Sequence, residues 1–361
     1  MKLSVGIVGL PNVGKSTLFN ALLKKQTAHV ANYPFATIEP NVGVVEVPDE
    51  RLPVLAKIVK TEKIVPAIVE FYDIAGLVKG ASKGEGLGNK FLSHIREVAA
   101  IVHVVRLFED KEIINTQNAI NPESDIKIIE EELMLADLQT LEKQSHSAQK
   151  SSVRDKKEQE TFELINKIQE KLDQGIPVRN QNLAGEQLEL IKHLNLLTAK
   201  PLIFCFNCSL EQLEEKEKTI KTVEQILNQF DKLTVKHVLS GVERQVQNDS
   251  SSYLLFNPLF EESLDELIKK AYKTLGLISF LTAGEKEVRA WTITQGIAAP
   301  QAAGAIHTDF TKHFIKVDAV SYENFVKAGG WNGAREQGLV QTGGRDYVMK
   351  EGDVVDFKVG I

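Results

Sequence analysis

Short apolar runs rich in β-branched residues alternate with stretches of helical periodicity from Leu3 to about Ile120. Leu3–Val8, Gly43–Val47, Ala67–Asp73 and Ala100–Arg106 read as strands, and such alternation is the signature of βαβ units around a parallel sheet. From about Asp125 to Ala199 the period changes. Ile126, Ile129, Leu133, Leu135, Leu138 and Leu141, then Phe162, Ile165, Ile168 and Leu172, recur at three- and four-residue spacing, which predicts two amphipathic helices. A helical hairpin inserted into the sheet domain satisfies that pattern. The α/β alternation returns at Pro201, with strands at Leu202–Phe206 and Lys236–Leu239 and helices at Leu213–Phe230 and Leu264–Leu275. After Leu277, Gly-rich turns separate short strands such as Glu287–Ile293, His313–Val320 and Val354–Val359, with one helix near Ser321–Lys327. The predicted organisation is an α/β domain made of residues 1–124 and 199–276, a helical insertion at 125–198, and a small β-rich domain at 277–361.

A chain of 361 residues is long enough for two or three such domains. With 43% hydrophobic and 25% charged residues it has the composition of an ordinary soluble globular protein. No stretch approaches the ~20 uninterrupted apolar residues of a membrane helix, so no membrane partner is expected. Met1–Gly9 runs directly into a strand-and-turn pattern without a leader's apolar region, and a cytoplasmic location is expected. Cys205 and Cys208 are the only cysteines, too few for a disulfide framework or for a four-ligand zinc site. The net charge of −6 requires any nucleic-acid contact to come from a local patch. One lies at the predicted hairpin tip, residues 143–157, where Lys143, Lys150, Arg154, Lys156 and Lys157 outnumber Asp155 for a net +4.

The chemistry concentrates near the amino terminus. Gly9-Leu10-Pro11-Asn12-Val13-Gly14-Lys15-Ser16 matches G-x-x-x-x-G-K-[ST] between a predicted strand and a predicted helix. Glycines let the backbone wrap a polyphosphate, and the amides and helix start of Asn12, Val13, Gly14, Lys15, Ser16 and Thr17 supply donors. Lys15 spans the β- and γ-phosphates, and the Ser16 hydroxyl ligates Mg²⁺. Asp73-Ile74-Ala75-Gly76 ends the third run as a D-x-x-G arrangement. There Asp73 reaches the metal through water and the Gly76 amide touches the γ-phosphate. Thr37, in the loop between these motifs, offers a second hydroxyl ligand for Mg²⁺. The glycine-rich stretch Lys79–Gly88 suits a segment that orders around the γ-phosphate.

With these motifs the chain resembles the YchF family, the Obg-related P-loop NTPases that bind ribosomes. The resemblance is carried by Gly9–Asn20, Ala31–Asn41, Asp73–Phe91, Phe280–Gly284, Glu287–Thr292 and Ile306–Phe310, and it spans nearly the whole length. It implies a P-loop NTPase (G-domain) fold split by a helical coiled-coil hairpin and followed by a C-terminal β-grasp (TGS) domain. It also implies an ATPase rather than a strict GTPase, with the ribosome as partner and hydrolysis serving as a switch in translation or stress response. Contact with rRNA would run through the basic tip and the TGS domain, and a monomer is expected.

Base selection follows from chemistry. Guanine recognition in these folds uses N-K-x-D, whose acid accepts from guanine N1 and the exocyclic amine. The equivalent segment here is Asn207-Cys208-Ser209-Leu210. Leu210 accepts no hydrogen bond, and each unmet guanine donor costs roughly 1–3 kcal/mol. The family usually has Glu at that position; Glu211, one residue later, is an alternative acceptor if the loop shifts. Ser240 and Gly241 match the family's last base-contact loop. After D-x-x-G, where Ras-like enzymes place a water-orienting Gln, this chain has Leu77. Asn115 aligns with the family's loop His. It can orient a water but cannot serve as a general base near neutral pH, so slow intrinsic turnover is expected. Asn12 occupies the position that helps hold K⁺ in cation-dependent relatives. His103, inside a strand, reads as a core residue. Two other readings stand beside the ATPase: a GTP-hydrolysing Obg-type assembly factor, and a nucleotide-sensing module with vestigial hydrolysis.

Overall fold

The computed structural model describes residues 4–25, 41–74, 87–109, 120–151, 156–234 and 253–360. Its strands are β1 (Ser4–Val8), β2 (Val42–Glu46), β3 (Ile64–Val65), β4 (Ile68–Asp73), β5 (Ala100–Arg106), β6 (Leu202–Asn207), β7 (Tyr253–Phe256), β8 (Leu277–Ala283), β9 (Val288–Thr294), β10 (Phe314–Ser321), β11 (Gln341–Gly343) and β12 (Asp353–Val359). They form two sheets, and the chain divides into two compact units, one holding Glu70–Leu264 and the other Val44–Val69 and Asp265–Ile361.

The first sheet has the order β2-β4-β1-β5-β6-β7. The β1–β4, β1–β5, β5–β6 and β6–β7 pairs are all parallel. The boundary between the units runs through β2 and β4. Every residue of β1 and β5 is buried, as expected of parallel strands covered on both faces. The helix Lys15–Lys24 turns Leu18, Phe19, Ala21 and Leu22 inward. Fully burying side chains of the Leu or Phe class stabilises by about 1.5–3 kcal/mol each. The residues of the G-x-x-x-x-G-K-[ST] turn therefore leave the carboxyl end of a rigid strand and enter a rigid helix.

The predicted insertion is a pair of helices, Pro122–Ser151 and Lys156–Asp173. Leu141, Leu164, Ile165, Ile168 and Leu172 form their common core. Leu135, expected on the apolar stripe, is instead 43% exposed while Met134 is buried, because the 3.6-residue turn places the neighbour of Leu133 inward. Buried Asp137 anchors the first helix to the returning chain. Its Oδ1 accepts from the Leu197 N–H at 2.7 Å, and its Oδ2 accepts from the Thr198 N–H and hydroxyl at 2.8 and 2.7 Å. No helix among the described residues is long and apolar enough to cross a membrane.

Two differences from the sequence expectation bear on the site. The run predicted as one helix, Leu213–Phe230, is two, Leu210–Glu214 and Lys216–Thr234. Ser209 caps the first by accepting from the Gln212 N–H, and Gln212 Oε1 accepts the Ser209 N–H in return. This reciprocal cap starts a helix earlier than apolar spacing suggests. The sheet also gains β7, which the sequence reading passed over; the strand expected at Lys236–Leu239 lies outside the described residues.

In the second unit the sheet order is β11-β10-β12-β8-β9-β3. The β8–β9, β10–β11 and β10–β12 pairs are antiparallel, whereas β12–β8 and β3–β9 are parallel. The compact unit also includes β3 and the helix Arg51–Val59 from far upstream, and its last segment runs from Asp265. Its core centres on Phe280, Ile293, Phe314, Val317 and Val355.

Candidate functional site

The segments that follow β1, β5, β6 and β7 in the first unit's sheet line one cleft, at the carboxyl edge where open α/β sheets bind ligands. The cleft measures about 560 Å³, within the range of small-molecule sites. One wall comes from the turn after β1, with Asn12, Gly14, Lys15, Ser16 and Thr17. The opposite wall comes from Phe108 after β5, Cys208 and Ser209 after β6, and Asn257, Pro258 and Leu259 after β7.

The phosphate-type wall is shaped by its backbone. Asn12 has φ 63° and Gly14 φ 103°; Asn tolerates the left-handed region, and the second value favours glycine. A Cβ on Gly14 would also overlap Asn207 Nδ2. The Asn207 side chain is buried and donates to the Val13 carbonyl at 3.0 Å. It thus clamps the turn to the end of β6. Val13 puts its own side chain in the core and contributes only backbone. The Leu18 N–H bonds the Gly14 carbonyl at 2.9 Å, closing the first helical turn.

Lys15 is buried, and its ammonium donates to the Leu10 carbonyl at 2.7 Å. Burial lowers its pKa from 10.5 to about 8, with the Asp73 charge opposing the shift. Asp73, at the end of β4, is half-buried; burial raises its pKa and Lys15 counters the effect. The two groups therefore lie within electrostatic reach, a buried cation opposing the desolvation that lifts the carboxylate. Ser16 is exposed at the cleft wall.

The opposite wall is braced. Arg106 donates through Nε to the Phe108 carbonyl at 3.0 Å, and its guanidinium carbon lies 4.7 Å from the Phe108 ring centroid. Asn257 Nδ2 donates to the Cys208 carbonyl at 2.7 Å while its Oδ1 accepts the Leu259 N–H at 2.9 Å. Burial pushes the Cys208 thiol up to about 12, so this cysteine remains a neutral wall atom. Leu210 is the first residue of the helix Leu210–Glu214, is 45% exposed and does not line the cleft; Glu211 follows it in the same helix. His103 is fully buried in β5, its ring 5.7 Å from Phe204. Burial, with the positive charges of Arg179 and Lys15, lowers its pKa to about 3. It stays neutral in the core.

The structure thus brings Asn12, Gly14, Lys15, Ser16, Thr17 and Asn207 to one cleft and leaves Leu210 beside it. Thr37, Gly76, Leu77, Asn115, Ser240 and Gly241 lie outside the described residues. Sequence reasoning missed Phe108, Asn257 and Leu259 as cleft walls. The available signal was the Asn257-Pro258 pair closing an apolar run, a turn signature at a strand's end.

Residues 4–133 match the MMR_HSR1 family model, described as 50S ribosome-binding GTPase. Residues 277–360 match the YchF-GTPase_C model, described as Protein of unknown function (DUF933). The chain is 45% identical to a protein of Bacillus subtilis (strain 168) named Ribosome-binding ATPase YchF, with all of both chains covered. It is also 45% identical to the protein of that name from Escherichia coli O157:H7, over 99% of each chain. A solved structure described as the Schizosaccharomyces pombe YchF GTPase matches with a TM-score of 0.82 and 36% identity, over 99% of this chain and 97% of that one. With its phosphate-binding turn at the edge of a parallel sheet and full-length similarity on this scale, the chain belongs to the YchF family.

Proposed function

We propose that this chain is a ribosome-binding, Mg²⁺-dependent ATPase that hydrolyses ATP to ADP as a conformational switch in translation or stress response. The observation that carries the nucleotide choice is the lining of the cleft, which among the described residues holds no carboxylate. Guanine N1–H and its exocyclic amine would meet no acid, a loss of roughly 1–3 kcal/mol for each unpaired donor. Glu211 belongs to the helix behind the Ser209 cap and is not part of that lining. The ATPase name of the relatives at 45% identity supports the same choice.

In this reading the Lys15 ammonium exchanges the Leu10 carbonyl for phosphate oxygens, and the amides of residues 13–17 surround the same anion. Asn207 keeps the turn from relaxing. Ser16 and Asp73 offer hard oxygen donors suited to Mg²⁺. Held by these donors, Mg²⁺ would supply positive charge to offset that of the phosphate oxygens. Thr37 serves as the second hydroxyl ligand, Gly76 offers its amide to the γ-phosphate, and Asn115 orients the attacking water. Ser240 and Gly241 contribute to the base pocket. With Leu77 in place of a Gln, turnover is slow until a partner or K⁺ beside Asn12 assists; equal rates in potassium and sodium buffers would remove the K⁺ role.

Titration calorimetry with ATP and GTP in the presence of Mg²⁺ tests the central choice. ATP should bind at least about tenfold more tightly, the equivalent of one unpaired donor. Tighter GTP binding overturns it in favour of an Obg-type GTPase, a reading supported by the family description and the S. pombe structure's name. Equal single-turnover rates for the wild type and Lys15→Ala would instead mark a nucleotide-sensing module. The protein acts in the cytoplasm, as a monomer, without a membrane partner. The basic stretch 143–157 and the C-terminal β-grasp (TGS) domain contact rRNA. Neutralising Lys150, Arg154, Lys156 and Lys157 should therefore flatten the salt dependence of ribosome pelleting.

A further inference from the structure

The wall of the cleft opposite the phosphate-type turn is built from backbone that leaves the sheet at three separate points. Strand pairing ends at Arg106–Asn207 between β5 and β6 and at Asn207–Phe256 between β6 and β7. One more backbone bond follows on each side, from the Leu107 N–H to the Asn207 carbonyl at 2.9 Å and from the Cys208 N–H to the Phe256 carbonyl at 2.8 Å. Past these bonds, Phe108, Ser209 and Leu259 line the cleft from outside the strands. Leu259 is 78% exposed, so core packing does not fix it.

Two carboxamides bridge the three segments. Gln212 donates from Nε2 to the Leu107 carbonyl at 3.2 Å while its Oε1 accepts the Ser209 N–H at 2.9 Å, which joins the chain after β5 to the chain after β6. Asn257 donates from Nδ2 to the Cys208 carbonyl and accepts the Leu259 N–H on Oδ1, which joins the chain after β6 to the chain after β7. One side chain can hold two backbone groups in this way because a carboxamide carries both a donor and an acceptor. The bridges themselves rest on fixed backbone. The Gln212 carbonyl accepts from the Thr219 hydroxyl at 2.7 Å, and the Asn257 carbonyl accepts from the Phe260 N–H and the Ser263 hydroxyl, both at 3.0 Å. Gln212 does not line the cleft.

We propose that Gln212 and Asn257 are positioning residues that hold Phe108, Ser209 and Leu259 as one preorganised wall for the nucleotide base. The inference rests on the ATPase reading of the cleft and adds to it how the base end keeps its shape. A wall ordered before binding spares the complex the entropy of ordering it, so the bridges strengthen binding through the base and not through the phosphates.

The test uses the full-length protein with Mg²⁺. Competition against a ribose-labelled fluorescent ATP analogue gives the affinities of ATP and of inorganic tripolyphosphate, which occupies the phosphate end alone. Gln212→Glu keeps the acceptor for the Ser209 N–H but sets a carboxylate oxygen against the Leu107 carbonyl; Asn257→Asp does the same toward the Cys208 carbonyl. Each should weaken ATP at least about fivefold, the equivalent of one hydrogen bond, and change tripolyphosphate less than about twofold. Gln187→Glu, the same exchange in the cap of the helix Gly185–Ile191, should change neither. Added charge or general loosening would weaken tripolyphosphate together with ATP, and that result overturns the proposal. Unchanged ATP affinity in Gln212→Glu overturns it as well. Should Asn257→Asp, at a buried position, fail to fold, the partly exposed Gln212→Glu decides alone. The wild-type preference between ATP and GTP reports on the ATPase reading, whereas the ATP-to-tripolyphosphate ratio of the variants reports on the bridges, so the two fail separately.

Discussion

The two ends of the nucleotide cleft are built on different principles. The phosphate end is one contiguous turn, Gly9–Thr17, whose donors are backbone amides and whose geometry depends on Asn12 and Gly14 at positive φ. The base end is assembled from three segments far apart in the chain, Phe108, Cys208–Ser209 and Asn257–Leu259. In the proposed function the first would recognise charge, which every nucleoside triphosphate shares, and the second would meet the base, where nucleotides differ. Asn207 joins them, leaving β6 at the base end and clamping Val13 at the phosphate end. Changes at the phosphate end should therefore affect ATP and GTP alike, and changes at the base end should separate them.

The largest effect tests the phosphate end. Lys15→Ala should lower ATP hydrolysis about a thousandfold, within the range ascribed to preorganised charge at a transferring phosphoryl group. A rate within tenfold of wild type would remove Lys15 from the reaction. Gly14→Val combines a strained φ with overlap onto Asn207 and should weaken both nucleotides about a hundredfold; retention of either affinity would contradict the described turn. Asn207→Ala leaves the Val13 carbonyl without its partner, at about 1–3 kcal/mol. It should lower the melting temperature and weaken ATP and GTP together, whereas loss of only one nucleotide would make Asn207 purely a base contact.

The Lys15 shift sets a pH dependence. Without nucleotide the folded protein holds Lys15 at about 8 and the unfolded chain at 10.5. Between those values the native state binds fewer protons, so this group makes nucleotide-free stability rise with pH across that window. Phosphate binding needs the charged form. ATP affinity should then fall up to about tenfold per unit above pH 8, with proton uptake seen as a buffer-dependent calorimetric heat. A flat affinity between neutral pH and pH 9 would contradict it. The smallest effect is expected from Leu210→Ala, which changes an exposed helix residue beside the cleft and should alter ATP binding less than about twofold. A large loss would return Leu210 to the base pocket.

The phosphate end was legible because its signal is local. The motif from Gly9 to Ser16 specifies a turn, and the apolar run Leu3–Val8 before it specifies a buried strand. The base end was legible only where a known motif fell on it, at Asn207–Ser209. Phe108 and Leu259 have no short-range signature, since they line the cleft through the pairing of β5 with β6 and of β6 with β7. Leu210 stands outside the cleft lining for a related reason: the cap formed by Ser209 and Gln212 winds it into a helix, a reciprocal bond that hydrophobic spacing does not reveal.

By itself the amino-acid order determined the α/β character of the first unit, the inserted helices, the later change to short strands and the polyphosphate turn, because each rests on periodicity or on backbone freedom within a few neighbouring residues. Only the tertiary structure decided that β3 joins the second sheet, that β7 supplies a cleft wall, and that Gln212 and Asn257 bridge the segments of that wall. Those outcomes depend on strand pairing and side-chain packing between segments distant in the chain. No local pattern encodes such contacts, since they form only when the sheets close.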